Sequence, residues 1–364
     1  MKKQILSIDF TIVLTVLLLM VTGYIAITSA TNDTRKLTVQ VFCLGLGAVL
    51  LLLLCFWDYN CITEQKISIY FMCIFLLAIV FPFGIGKAET GAISWIRFGK
   101  IGIQPSEFVK ILFIIYLSCD LSELIERNSL NKPKELLKLI LKTTPIITLV
   151  ILQNDTGTAL VFMFILVTTL FVAGISVKYI FILIGAGILL LPVIWFLLAD
   201  YQRARIITFL NPNDNLSDSG YQVHLAKLAL SSGGIWGKGY MRGAVNALSF
   251  LPEKETDFIF SVIGEEFGMV GTTFVAVLFL ILIFKCFSVA KCARYTKDKL
   301  IATGISSMLT FHIFENIGMT IGLLPVTGIP LPFLSYGGSS VLAMSISVGL
   351  LLSIRRKTYL LLYS

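Results

Sequence analysis

Uncharged apolar stretches of about 20 residues recur along the whole chain, and they leave it few ways to fold. A run such as Phe10 to Ala30 can satisfy its own backbone in lipid only as a helix. Ten such spans are expected, near 10–30, 37–57, 67–85, 105–121, 139–153, 157–175, 179–199, 258–288, 300–323 and 336–354. The fourth and fifth are short or polar-ended. Of the 364 residues, 57% are hydrophobic and 14% charged, against roughly a quarter charged in soluble domains. The expected fold is an all-α polytopic membrane protein of about ten transmembrane helices, one domain over 1–364. The first run is long enough to span and lacks a small-residue cleavage pattern, so no cleaved signal peptide is expected.

Basic residues set the orientation. With the N-terminus inside, 17 of the 29 Lys and Arg fall on the inner side, and the short segments 122–142 and 285–299 carry ten of them. Both termini are then cytoplasmic. A long extracellular segment, about 200–257, joins the seventh and eighth spans; loops of that length cross whatever their charge. The net charge of +8 suits anionic lipid or an anionic substrate rather than nucleic acid. The seven cysteines show neither a CxxC pair nor metal spacing and read as small apolar fillers.

The eighth span opens on Phe250-Leu-Pro-Glu-Lys-Glu-Thr-Asp-Phe-Ile-Phe260. Three carboxylates, Asp257, Glu265 and Glu266, stand where polar sequence turns apolar, and an ionisable group held at that depth marks a functional site by default. Pro252 excludes helix before it, and Thr256 is expected to cap a helix beginning at Asp257, whose dipole would favour the charged carboxylate while burial opposes it. Asp257, Phe260, Ser261, Gly264, Glu265 and Gly268 share one broad, mostly small and polar face; Glu266 lies opposite, where facing the headgroups explains it equally well.

Three other outer segments are not plain connectors. The stretch 84–104 carries Trp95, Phe98 and Arg97: aromatics for the interface and a cation for phosphate, although an aromatic belt is the simpler reading. The segment 200–257 holds Arg203, Arg205, Lys227, Lys238 and Arg242. Its middle, 220–239, reads as a short amphipathic helix and a Gly-rich turn on the outer face. Pro325, Pro330 and Pro332 break any helix through 323–340, and non-helical backbone at membrane depth needs protein or a water-filled cavity over it.

Glu107 and Lys110, three residues apart, share a helix face. With Asp155 and Asp257 they fall at one depth, which suggests a shared polar cavity; structural ion pairing is the plainer alternative. His224 and His312 are the only histidines, and neither forms a two-His zinc motif or a nucleophile–base pair. The inventory permits a carboxylate base acting on a hydroxyl while cations hold a phosphate leaving group. No metal site and no firm cofactor is expected; a divalent cation, Mg or Mn, is the one candidate for sharing the phosphate contacts.

Gln104-Pro-Ser-Glu-Phe-Val-Lys110, Asp155-Thr-Gly-Thr-Ala159, Ser232-Gly-Gly-Ile-Trp-Gly-Lys-Gly239, Thr256-Asp-Phe-Ile-Phe260, Gly264-Glu-Glu-Phe-Gly268, Asn316-Ile-Gly318 and Gly328-Ile-Pro-Leu-Pro-Phe-Leu-Ser-Tyr-Gly-Gly-Ser-Ser340 together resemble the SEDS family, which includes RodA, FtsW and SpoVE. Lys238-Gly-Tyr240 and Thr327-Gly-Ile-Pro330 look closer to RodA, with the division and sporulation members, FtsW and SpoVE, as the alternative within the family. The resemblance implies a peptidoglycan glycosyltransferase that polymerises lipid II at the outer face of the bacterial cytoplasmic membrane, for elongation and rod shape. It also implies a class B penicillin-binding protein as transpeptidase partner, beside other elongation-complex membrane proteins. The family's essential aspartate falls on Asp257, the expected catalytic base. Trp95, Arg97, Glu107, Lys110, Asp155, Arg203, Arg205, Lys238, Glu253, Thr256, Glu265 and Ser335 are the candidate substrate-binding residues. Ser94, Asn154 and Glu255 depart from the common pattern, and Ser94 removes a cation that relatives often place before the tryptophan.

A flippase or transporter of lipid-linked precursors is the alternative, since acids beside broken helices fit one too. A transporter wants its ionisable groups at the midplane; here they gather toward one face. A pure scaffold for a transpeptidase would leave Asp257 without a purpose.

Overall fold

Each apolar run is built as a helix in the computed structural model, which describes residues 9–86, 92–98, 101–210, 218–243 and 253–362. Residues 244–252, which include the start of the Asp257 stretch, lie outside them, as does the side chain of Phe98. In chain order the helices are α1 Phe10–Ala30, α2 Thr34–Phe56, the short α3 Asn60–Thr63, α4 Lys66–Ala78 and the short α5 Val80–Phe83. They continue with α6 Pro105–Glu126, α7 Pro133–Leu152, α8 Thr156–Ala173, α9 Val177–Leu197, α10 Asp200–Leu210 and α11 Asp218–Ser232, and end with α12 Ile259–Cys292, α13 Thr296–Thr320 and α14 Gly338–Leu362. Among the described residues, six stretches are long and apolar enough to cross a membrane: α1, α2, the joined Lys66–Phe83, α8, α12 and α14. Helices α6, α7, α9 and α13 cover the other four expected runs. Large apolar side chains such as Phe181, Leu189 and Phe284 stand exposed on the outside, as a lipid-facing surface requires.

Local sequence sets the helix ends. Asp9 and Asp33 accept from the backbone N–H groups of Thr11 and Arg35 and start α1 and α2. Pro105 and Pro133 occupy first helical positions, where the missing N–H costs nothing. Gly174, with φ +87°, ends α8 in a left-handed turn. In the core, α14 lies along α2, and α12 packs between α1 and α13, which also meets α6 and α8. At the end of the bundle remote from Asp257, the buried Asp120 accepts from Lys66 and Lys142, each at 3.0 Å.

Three expectations need correction. The fold is not purely helical: Gly84–Ile85 (β1), Trp95–Phe98 (β2) and Ile101–Ile103 (β3) form an antiparallel sheet in the order β1-β2-β3. Alternation explains β2, with Ile96 buried and Arg97 exposed. Within 200–257, α11 falls where a short helix is expected, and α10 precedes it. The eighth span is not one straight helix: Gly268 (φ 63°, ψ −157°) interrupts α12. Finally, α12 begins at Ile259 rather than Asp257. Its N-cap is Phe258, without a side-chain cap, and Thr256 instead closes the preceding turn.

The break at Gly268 is filled from elsewhere in the chain. The Gly-rich turn after α11 donates from the Lys238 and Gly239 N–H groups to the Glu265 and Glu266 carbonyls, both at 3.0 Å. In return, the Met269 and Val270 N–H groups donate to the Gly234 and Ile235 carbonyls at 2.9 and 3.2 Å. Gly237 has φ +80°, and a methyl there would overlap the Glu266 carbonyl, so two backbones meet where no side chain fits.

Candidate active site

Asp257 sits in a tight turn over 253–257 that delivers the chain into α12. Glu253 takes a left-handed φ of 52°, and its carbonyl accepts from the Asp257 N–H at 2.9 Å. The Thr256 hydroxyl donates to the Glu253 carboxylate at 3.0 Å. Neighbouring elements clamp the turn: Asn316 of α13 donates to the Asp257 carbonyl at 2.9 Å, the Tyr336 N–H donates to the Glu255 carbonyl at 2.8 Å, and Lys36 of α2 pairs with the Glu255 carboxylate at 2.6 Å. The Asp257 side chain is half-buried. Burial, reinforced by the Glu253 charge, pushes its carboxyl up to about 6, against the opposing pull of Arg205 and Thr256. Desolvation therefore outweighs the expected help from a helix dipole, because the carboxylate precedes the helix.

The Pro-rich segment 325–337 is covered by protein, chiefly through polar side chains of α13. Asn316 donates to the Ile329 carbonyl at 2.8 Å, Glu315 accepts from the Thr327 hydroxyl at 2.6 Å, and His312 Nδ1 lies 3.2 Å from the Pro330 carbonyl oxygen. From α2, the buried Gln40 accepts from the Gly337 N–H at 3.2 Å. Ser335 Oγ accepts from the Leu331 N–H at 2.8 Å, so this residue closes the segment's own turn.

Glu107 and Lys110 are almost fully buried and pair at 2.7 Å; Lys110 Nζ also lies 2.9 Å from His312 Nε2. Asp155 caps α8 by accepting from the Thr158 N–H at 3.0 Å, and Gln104 donates to its other oxygen at 3.1 Å. Glu107, Lys110 and His312 form one polar chain that reaches the Pro-rich segment, and Asp155 with Gln104 forms another beside Ser339.

The remaining candidates separate by geometry. Arg205 donates to the Val326 carbonyl at 3.3 Å, lies over the Tyr201 ring and acts electrostatically on Asp257. Arg203 donates to the Trp195 and Phe196 carbonyls at 2.9 and 2.8 Å, which makes it a cap on the last turn of α9. Lys238 pairs with the buried Glu265 at 2.9 Å where the Gly-rich turn meets α12, and Ser29 of α1 bonds Glu266. Trp95 and Arg97 lie on β2, Trp95 half-buried over Gly102 and Arg97 exposed. A cavity of about 520 Å³, entirely apolar, runs between α2, α4, α6 and α14 from Ile96 and Ile103 to Trp57 and Ile62; Asp257 is not among its walls.

Sequence reasoning passed over His312, Glu315 and Asn316 as a group, although positions i, i+3 and i+4 in an apolar helix put them on one face. It also missed Gln40 and Lys36.

A family model described as a cell cycle protein, FtsW/RodA/SpoVE, matches residues 4–360. The probable peptidoglycan glycosyltransferase FtsW of Geobacter sulfurreducens is 38% identical over 82% of this chain and 79% of its own. The peptidoglycan glycosyltransferase MrdB of Escherichia coli K12 is 33% identical over 95% and 93%. Among solved structures, a chain of a peptidoglycan synthase complex that coordinates polymerization and crosslinking superposes with a TM-score of 0.83 at 30% identity, covering 97% of this chain and 98% of that one. The rod shape determining protein RodA of Thermus thermophilus gives 0.71 at 28% identity with the same coverage. This chain, a multi-pass membrane protein by its apolar helices, belongs to the FtsW/RodA/SpoVE family, the SEDS proteins.

Proposed function

We propose that this protein is a peptidoglycan glycosyltransferase that polymerises lipid II at the outer face of the bacterial cytoplasmic membrane, with Asp257 as general base. The observation that carries the reading is Asp257 itself: a half-buried carboxylate, ionised at neutral pH yet more basic than a free one, with the Arg205 cation nearby. The 4-hydroxyl of the acceptor sugar gives its proton to Asp257 as its oxygen attacks the donor's anomeric carbon. The bond from that carbon to the pyrophosphate oxygen breaks, and the lipid pyrophosphate leaves with the electron pair. That leaving group needs cations rather than a general acid, so one carboxylate suffices where a glycosidase uses two. Arg205, which acts on Asp257 and donates to the Val326 carbonyl, and Lys36, paired with Glu255, are cations at the Asp257 turn, Lys110 lies beside the Pro-rich segment through His312, and the apolar cavity beside β2 suits an isoprenyl tail.

Among the described residues no group of three metal-ligating side chains is assembled. Asp257 and Glu253 fit the alternative arrangement, in which Mg²⁺ takes one or two carboxylates plus substrate phosphates. The reading extends to ten spans, cytoplasmic termini, an elongation role on the strength of the Lys238-Gly-Tyr240 and Thr327-Gly-Ile-Pro330 runs, and a class B penicillin-binding protein as partner within a larger elongation complex.

The test is glycan synthesis from purified lipid II by the full chain, alone and with its transpeptidase. Polymer is expected from wild type, almost none from Asp257→Asn and little from Asp257→Glu. No polymer under either condition sinks the reading; normal polymerisation by Asp257→Asn removes the base role from Asp257.

A further inference from the structure

His312 is buried in α13 between two groups that define its state. Nδ1 lies 3.2 Å from the Pro330 carbonyl oxygen, which can only accept. Nδ1 must therefore carry the proton. Nε2 is then a lone-pair acceptor, and it faces the Lys110 ammonium at 2.9 Å. Lys110 is 1% exposed and also pairs with Glu107, itself 2% exposed. An ammonium on a four-carbon stem has no directional fork of its own, so its position is set by whatever accepts from it. Glu107 holds it from its own helix; His312 holds it from α13 and ties it to the Pro-rich segment. One turn further along α13, Asn316 bonds both Ile329 and the Asp257 backbone. The same face of one helix thus fixes the catalytic turn and the buried cation.

We propose that His312 is a positioning residue, locked in its Nδ1–H tautomer, that sets the Lys110 ammonium relative to the Asp257 turn. The proposal rests on the glycosyltransferase reading for its kinetic consequence and not for its structural one. Two amides separate the two ends of the ring. In His312→Gln the longer amide reaches the Nε2 position and still accepts from Lys110. In His312→Asn the shorter amide reaches the Nδ1 position, keeps the Pro330 bond and leaves Lys110 without its second acceptor. Misplacement of a group in an active site by about 1 Å costs up to 100-fold. His312→Gln is expected to keep kcat within about fivefold of wild type, and His312→Asn to lose about 30-fold or more with KM little changed. Equal loss in both, no loss in either, or an Asn variant better than the Gln variant overturns the proposal, because each says the Lys110 contact is not what matters.

A second measurement needs no variant of His312 and no activity. The chain has only two histidines, so ¹⁵N-histidine labelling gives two imidazoles, and His224→Gln assigns them. His312 is expected at neutral pH with Nδ1 protonated and Nε2 bare. A protonated Nε2 overturns the proposal whether or not the protein makes glycan. A wild-type protein with the expected tautomer but no polymer would count against the function and leave the geometry standing.

Discussion

Asp257 titrates where an enzyme of neutral medium can use it, and the sign of its pH dependence follows from its neighbours. With a carboxyl near 6, kcat/KM should fall about tenfold per pH unit below that point as a single proton is taken up. Glu253 raises this midpoint and Arg205 lowers it, so Glu253→Gln should shift the acid limb down and Arg205→Ala should shift it up. Opposite shifts, or none, would show that another group titrates. The raised value also means that the folded state favours the protonated form, a stabilisation present below the unfolded carboxylate range and lost as pH rises through about 6. Asp257→Asn should therefore melt no lower than wild type at about pH 8, which keeps its loss of activity from being read as misfolding. Arg203 and Arg205 look alike in sequence, two residues apart, and only their acceptors separate them. Arg205→Lys is expected to lower kcat/KM about tenfold or more, because Lys cannot reproduce a planar, forked donor. Arg203→Lys should lower the melting temperature while leaving turnover within about twofold, since it frays the end of α9. The chemical identity of Asp257, Glu107 and Lys110 was legible because charge in an apolar run stands out. The start of α12 was not, because it depends on Glu253 adopting a left-handed φ, which no local pattern of glutamates foretells.

At the scale of elements, the Gly-rich turn and the break in α12 were each readable, but not their union. The glycines of 233–239 announce a tight backbone, and Gly268 announces a weak point in a helix. Nothing in helical or strand periodicity links positions so far apart in the chain, so the docking of one into the other comes only from packing. The docking gives a paired expectation. Gly234 (φ 56°) has open space where a Cβ would go, so Gly234→Ala should cost only about 1–2 kcal/mol of backbone strain. Gly237→Ala carries the same strain and also drives a methyl into the Glu266 carbonyl, so it should cost clearly more and take activity with it. Equal melting temperatures for the two variants would show that the turn can lift off α12 without consequence. The Pro-rich segment repeats the lesson: its prolines foretold a gap in the helices and a need for cover, while the polar residues that provide it lie on α2 and α13.

For the whole molecule, the apolar runs foretold a largely helical membrane bundle, and the basic residues give an orientation that labelling checks. The structure improves the choice of probes, because Ser129 is buried and would resist reagent from either side. Cys61 and Cys292 are the exposed native thiols and are replaced by Ser. On that background Ser231→Cys should react with an impermeant reagent in intact cells and Arg127→Cys should not; the reverse pattern would invert the molecule and move Asp257 to the cytoplasmic side. The splice at Gly268 has a mechanical consequence. In hydrogen-bond terms, α12 borrows a turn from chain that has just left α11, so α11 and the helix behind Asp257 are geared together through peptide groups. Anything that pulls on the exposed Ile235 and Trp236 pulls on that gear directly, with four backbone hydrogen bonds as its teeth.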